Sequence, residues 1–378
     1  MEPMRVLHVV SGMGLGGIET LLINIYRGID RTKIQFDFII HRKTENGFEN
    51  EIKEMGGKIY YFDPLNLSCA GKYICCVKAF IKEHDEYSII HIHNRAASSI
   101  WSCYAKKYGR FSIVHSHSTT NGYGLKAIAE DILQYPARYY SAYFMGCSKE
   151  ANVWMFGKKI ADSDKCFILH NGIEVERFRF DMNNRNLVKT ELGIPESRFV
   201  IGSVGRLVPQ KNYSFLLAVF KDLKIKHPDV HLVIAGEGSL HGELTAISID
   251  LGISDAVSFL GARSDANRLL SAFDSFALCS KHEGFGISAI EAQANGLPVT
   301  ASESVPRTVR LTESCEFLGL EEPKDKWIDC LLRSNCLETR SAAYKSVENS
   351  VYDIKRTCKW LTDFYFSIQT YKESLFIG

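Results

Sequence analysis

Short apolar runs alternate with longer amphipathic stretches along this chain, and they do so in two successive sets. Residues 6–10, 36–41, 59–62, 89–93, 113–117, 143–147 and 166–170 read as strands. The segments between them, such as 17–27, 47–55, 73–83 and 96–108, carry helical periodicity. Such alternation predicts a parallel sheet covered by helices on both faces. After Asn171-Gly172-Ile173 the composition turns polar, through Asn183-Asn184-Arg185-Asn186, and residues 176–197 read as a linker. Strands then resume at 199–204, 231–235, 257–260, 275–279 and 298–301. The expected fold is therefore α/β with two Rossmann-like units. Residues 352–371 are helical in pattern, with Trp360, Phe364, Tyr365 and Tyr371 as an aromatic stripe that packs against a domain.

A length of 378 residues fits two domains. With 46% hydrophobic and 24% charged residues and a formal net charge of +1, nothing in the whole chain favours nucleic acid or an anionic surface. Eleven cysteines without a C-x-x-C pair, and no signal-like segment, point to a reducing cytosol rather than a disulfide framework. No apolar run reaches the roughly 18 residues of a membrane span.

Directly after the first strand, Gly12, Gly14 and Gly17 satisfy G-x-G-x-x-G. Glycines there let backbone N–H groups approach an anion at a helix start, or form a tight turn. A dinucleotide site also needs an acid at the end of the second strand. Asp37 has the spacing but lies inside its strand, which argues against NAD. His91 with His93, and His115 with His117, share strand faces by the period of two. Zinc, a hydrogen-bonded core rim, or a ligand-facing role for His117 are the three readings. No carboxylate or cysteine has ligand spacing beside them, so no metal is expected.

In the second half, Gly205-Arg206 and Gln210-Lys211-Asn212 follow a strand and open a helix. A guanidinium fork and an ammonium at one junction can grip a diphosphate. Gly236-Glu237-Gly238 after the next strand permits close ligand approach or simply turns the chain. Lys281-His282-Glu283-Gly284-Phe285-Gly286-Ile287 then leads into a helix carrying Glu291. Free N–H groups at Gly286 and Ile287 would seat phosphate, with Glu283 and Glu291 on either side to accept sugar hydroxyls.

These motifs, with Ala294-Asn295-Gly296-Leu297-Pro298, Gly16-Gly17-x-Glu19 and Asn171-Gly172-Ile173, resemble those of retaining GT-B glycosyltransferases of the family-4 group, glycosyl transferases group 1. Tyr352-Asp353-Ile354 makes the chain most similar to bacterial capsular and exopolysaccharide members. The resemblance implies two domains facing across a cleft, residues 1–180 with 358–378 for the acceptor and 195–357 for the donor. It implies a hexosyltransferase using a nucleotide sugar, a UDP-sugar first among them, and a saccharide or polyprenyl-diphosphate-linked acceptor, without a cofactor. Arg206 and Lys211 would bind the diphosphate, Glu291 the ribose, Glu283 and His117 the sugar. Gly16, Gly17, Gly205, Gly236, Gly238, Arg263, Gly284, Phe285, Gly286 and Ile287 would complete the donor site. The chain departs from the family at Ser302-Glu303-Ser304-Val305-Pro306-Arg307-Thr308, where many members carry Gly-Gly and Glu.

Other readings are a non-catalytic sugar-nucleotide-binding subunit and a UDP-sugar epimerase of the same fold. Lys72, Lys78, Lys82, Lys106, Lys107 and Arg110, set beside Tyr73, Ile74, Val77, Phe80, Ile81 and Tyr108, would let the N-terminal domain rest on the inner membrane face.

Overall fold

The computed structural model describes residues 2–14, 16–44, 47–118 and 125–377. Met1, Leu15 of the glycine loop and Gly378 at the end of the expected C-terminal helix lie outside the described residues. The chain forms two compact units, Met1–Gly172 with Ile354–Gly378, and Ile173–Asp353.

The first unit holds strands β1 (Met4–Val10), β2 (Ile34–Ile40), β3 (Ile59–Tyr61), β4 (Ile89–Ile92), β5 (Phe111–Ser116), β6 (Tyr143–Gly146) and β7 (Cys166–Ile168). They pair in parallel in the order β3-β2-β1-β4-β5-β6-β7. The strands near the centre are buried on both faces, which is why they read as nearly continuous apolar runs. Alternate residues feed two cores. Leu7, Val9, Ile90, Ile92 and Val114 pack with Val77, Phe80 and Trp101. On the opposite face Val6, Val10, Phe36, Ile89 and Ile113 pack with Leu21, Ile25 and Tyr26 of the helix Gly17–Gly28.

That second face is closed by the helix Ile354–Ile377, which supplies Cys358, Leu361, Tyr365 and Ile368. The buried stripe is therefore shifted from the expected one. Trp360 and Tyr371 are partly or largely exposed, and Trp360 stacks on Phe364 at the margin.

The second unit has β8 (Phe199–Val204), β9 (Val230–Ala235), β10 (Val257–Phe259), β11 (Ser275–Leu278), β12 (Val299–Ser302) and β13 (Cys315–Leu318). Their order is β10-β9-β8-β11-β12-β13, again parallel. The expected linker is instead part of this unit. A short 3-10 helix Val175–Phe178 and the helix Met182–Glu191 bury Val175, Phe178, Val188 and Ile194 in its core. Asp181 caps the second of these helices by accepting from the Asn184 N–H at 2.8 Å. Among the described residues no helix is long and apolar enough to cross a membrane.

Candidate functional site

In the second unit the strand order reverses between β8 and β11, and the loops leaving these two neighbours meet. Ligands of open α/β sheets bind outside carboxyl ends at such a switch point. Gln210 clamps the loops together: its Nε2 donates to the His282 carbonyl at 2.8 Å, and its own carbonyl accepts from the Lys281 N–H at 2.8 Å. Lys211 Nζ then lies 2.5 Å from Glu283 Oε2, and the Ser280 hydroxyl donates to the same oxygen at 3.0 Å. Arg206 is exposed on its loop, and its side chain has no ion pair or hydrogen bond among the described residues. The centre thus pairs one cation internally and leaves a second available to an anion.

Gly286, at φ +88°, begins the helix Ile287–Ala294 with no side-chain cap. Its opening N–H groups are not claimed by a capping side chain, and they add the positive end of the helix dipole. A β-carbon on Gly284 would meet nothing within 4 Å, so that backbone faces open space. Glu291, one turn further along, is partly buried, and burial pushes its carboxyl up to about 7 while Arg177 pulls the other way.

Several expected donor contacts have another physical explanation. A β-carbon on Gly236, at φ +145°, would stand 2.0 Å from the Gly205 carbonyl oxygen, and one on Gly238 would stand 2.2 Å from that of Leu207. These glycines let two strand-end loops pack backbone to backbone, which shapes the loop carrying Arg206. Phe285 packs on the core beside Tyr352, with ring centroids 5.4 Å apart. Arg263 does not present a free guanidinium. It makes a bidentate pair with Asp265 at 2.8 Å and reaches Glu191 at 2.6 Å.

The departure at residues 302–308 also has a structural role. Ser302 Oγ donates to the Ser280 carbonyl at 2.5 Å, and the Ser304 hydroxyl donates to the same oxygen. Two serines thereby brace the loop whose Ser280 holds Glu283. No spacing rule singles these serines out. Small polar residues at the ends of adjacent strands were the one available signal.

In the first unit, Gly16 precedes the helix Gly17–Gly28, and the Glu19 side chain folds against it so closely that a β-carbon would lie 2.3 Å from Oε2. Gly17 faces open space. Asp37 is wholly engaged: it takes Arg5 in a bidentate pair, the Lys58 N–H at 2.6 Å and the Tyr87 hydroxyl at 2.8 Å. It has nothing to offer a ribose.

Five histidines, not four, line one face of this sheet. His8 on β1 is in register with His91 on β4, and its alternation puts it in the same row as His93, His115 and His117. His8 Nδ1 is 3.1 Å from His93 Nε2, and His93 Nδ1 is 2.8 Å from His117 Nε2. His91 Nδ1 meets the Tyr365 hydroxyl at 2.6 Å. Burial holds His8 and His117 down to about 3 and the other three well below the ordinary value, so all are neutral at pH 7. Two triplets, His8-His91-His93 and His93-His115-His117, bring nitrogens within 4.8 Å of one another. Partly exposed His117 borders a cavity of about 210 Å³ within this unit, together with His93, Arg95, Glu130 and Trp154.

Most of the apolar residues set beside the cations singled out for membrane contact are turned inward, with Ile74 and Tyr108 half-buried. Tyr73, Val77, Phe80 and Ile81 are core residues, and Lys72 pairs with Asp63 at 3.1 Å.

Residues 184–314 match the family described as glycosyl transferases group 1. EpsF of Bacillus subtilis (strain 168), named as a glycosyltransferase, is 31% identical over 335 residues, covering 87% of this chain and 87% of its own length. The UDP-Gal:alpha-D-GlcNAc-diphosphoundecaprenol alpha-1,3-galactosyltransferase of Escherichia coli is 24% identical, covering 75% of this chain and 76% of its own. Among solved structures, Anabaena Alr3699/HepE in complex with UDP superposes with a TM-score of 0.79 at 19% identity, covering 96% of this chain and 100% of that one. At that identity the likeness speaks for the fold.

Proposed function

The chain belongs to the glycosyl transferases group 1 family and has the two parallel-sheet α/β units of GT-B enzymes, and from this premise we propose that it moves a sugar from a UDP-sugar to a saccharide or polyprenyl-diphosphate-linked acceptor, with retention at the anomeric carbon, in surface polysaccharide assembly. The observation that carries this reading is the pairing of Lys211 with Glu283 beside exposed Arg206 and an uncapped helix start. That set suits a sugar joined to a diphosphate: two cations and helix N–H groups for the phosphates, a carboxylate for sugar hydroxyls. The names of the Escherichia coli relative, with its UDP-galactose donor and diphosphoundecaprenol acceptor, and of the UDP-bound Anabaena structure support the choice of donor and acceptor.

In the reaction the bond from the anomeric carbon to the donor phosphate oxygen breaks, and a bond from the acceptor oxygen to that carbon forms. The acceptor proton passes to the leaving phosphate. Negative charge grows on the departing diphosphate, where Lys211, held by Glu283, is in place before the reaction begins, and exposed Arg206 turns onto the phosphate as it binds. Lysine has three donors, so Lys211 can keep Glu283 while engaging phosphate. Glu291, ionised above about pH 7, accepts from the ribose hydroxyls, and His117 contacts the transferred sugar. This route needs no metal. Contact with the inner membrane face would rest on Lys78, Lys82, Lys106, Lys107 and Arg110 through charge alone, and added salt should release it.

A thermal-shift panel of UDP-, GDP- and ADP-sugars, with NAD as control, tests the donor. A bound donor at a hundred times its Kd stabilises by about 2.7 kcal/mol. A shift with UDP-sugars is the expected result, and no shift with any nucleotide sugar would sink the reading. Product formed without acceptor would replace it with an epimerase.

A further inference from the structure

The hydrogen bonds in the histidine row have a direction. A neutral imidazole carries one N–H and one bare nitrogen, so His8, His93 and His117 can satisfy their two mutual bonds in only two ways. Either every Nδ1 holds the proton and donates along the chain toward His117, or every Nε2 holds it and donates back toward His8. The second arrangement ends on an N–H at His8 Nε2, which is buried and has no partner among the described residues. Orphaned buried N–H groups are rarer in native proteins than under-used acceptors, and a stranded donor carries its full desolvation cost. The first arrangement leaves only a bare nitrogen at that position.

From this asymmetry we infer that His8 and His93 lock His117 in its Nδ1–H tautomer, so that His117 offers a hydrogen-bond donor, and not an acceptor, to a ligand oxygen in the cavity at the carboxyl ends of β4 and β5. Neutrality of all three rings, which burial enforces, is what makes the relay directional. His115 lies against His117, with centroids 3.9 Å apart and ring planes tilted by 30°, and restrains the ring from turning. His8 and His93 are positioning residues, since they act through His117. A shared metal fits these contacts less well. Two nitrogens each 2.1 Å from a tetrahedral zinc stand about 3.4 Å apart, whereas the His93–His117 pair is at 2.8 Å.

The functional consequence rests on the proposed sugar transfer: a His117 that donates selects a sugar hydroxyl or ring oxygen by its lone pair. The tautomer itself does not depend on that reading. The test is long-range ¹H–¹⁵N correlation on ligand-free, ¹⁵N-histidine-labelled protein, with the His117 signals assigned by their loss in His117→Ala. The expected spectrum has a protonated Nδ1 and a bare Nε2 at His117 between pH 6.5 and 8. His93→Leu should release this state toward the Nε2–H form that free histidine prefers. His93→Gln, whose amide can donate to His117 Nε2, should keep it. A wild-type His117 protonated on Nε2 would overturn the inference whether or not the variants fold. Stoichiometric Zn²⁺ uptake that moves the histidine nitrogens together and is lost in His115→Ala would also overturn it. Because the measurement uses no nucleotide, failure to bind UDP-sugars and failure of the lock are separate results.

Discussion

The Lys211 ammonium lies 2.5 Å from the Glu283 carboxylate, 72 residues away in sequence, with the two side chains only 15% and 11% exposed. Truncating one member of such a pair leaves the other buried without its counter-charge. Lys211→Ala should therefore lose stability by about 3 kcal/mol or more, and turnover by about 10²–10³. Lys211→Ala combined with Glu283→Gln should recover much of the stability and none of the turnover. Urea unfolding and initial rates on the four proteins of the cycle separate the two effects. Equal recovery of both would assign the pair to folding alone.

Glu291 has a carboxyl raised to about 7 by burial, against 4.5 for an ordinary glutamate. A raised carboxyl stabilises the fold below its unfolded value, and that contribution disappears as pH climbs toward 7. Glu291→Gln, permanently neutral, should melt higher than wild type at pH 8 by an amount on the order of 1–3 kcal/mol, and match it near pH 4.5. Donor KM should move oppositely in the wild type, rising as pH drops below 7 and the ribose contact is protonated. A pH-independent difference in melting would remove the carboxyl from this role.

The histidine row makes the first unit sensitive to acid. His8, His91, His93, His115 and His117 are all depressed by burial. Above pH 6.5 they are neutral in both folded and unfolded chains, so their stability is fully present. Below it the unfolded chain takes up protons that the folded one refuses, at up to about 1.4 kcal/mol per pH unit for each histidine. Glu291 opposes this, as one group against five. Melting temperature should be level from pH 7 to 8.5 and fall steeply from pH 6 to 5. A level curve down to pH 4.5 would contradict the burial of the row.

Gly236 can be tested against Gly284. A methyl on Gly236 must displace the Gly205 backbone, whereas one on Gly284 enters open space. Gly236→Ala should cost about 2 kcal/mol or more from strain and overpacking and weaken donor binding by moving Arg206. Gly284→Ala should stay within about 0.5 kcal/mol of wild type. Denaturation midpoints compare them directly, and equal midpoints would refute the crowding argument.

Both sheets were legible because parallel strands buried on two faces must be apolar runs. β13 was not, since it is an edge strand of four residues with Glu316 at its centre and alternate half-exposure. Residues 176–197 passed for a linker because the asparagines on the solvent side of the helix Met182–Glu191 outnumber buried Val188 and its neighbours. Motif spacing named Lys211 and Glu283 separately. Their ion pair follows from the adjacency of β8 and β11, which no local pattern encodes. Arg263 was named for the donor site, and its engagement by Asp265 and Glu191 could not be read from spacing. His8 was overlooked for the same kind of reason. Period two places residues on a face within one strand, but the register of β1 against β4 decides which faces join.

The helix Ile354–Ile377 carries one more consequence, for the order in which the protein comes into being. Its Leu361, Tyr365 and Ile368 complete the core of a unit whose other residues end at Gly172, and Tyr365 reaches back to His91. On the ribosome, residues 173–353 are all synthesised before that piece arrives. The later unit can therefore finish folding first, while the earlier one waits with an apolar face uncovered. A chain stopped before Leu361 would carry every motif of the family and still lack the side chains that cover its own histidines, so a segment made late decides whether one made early is kept.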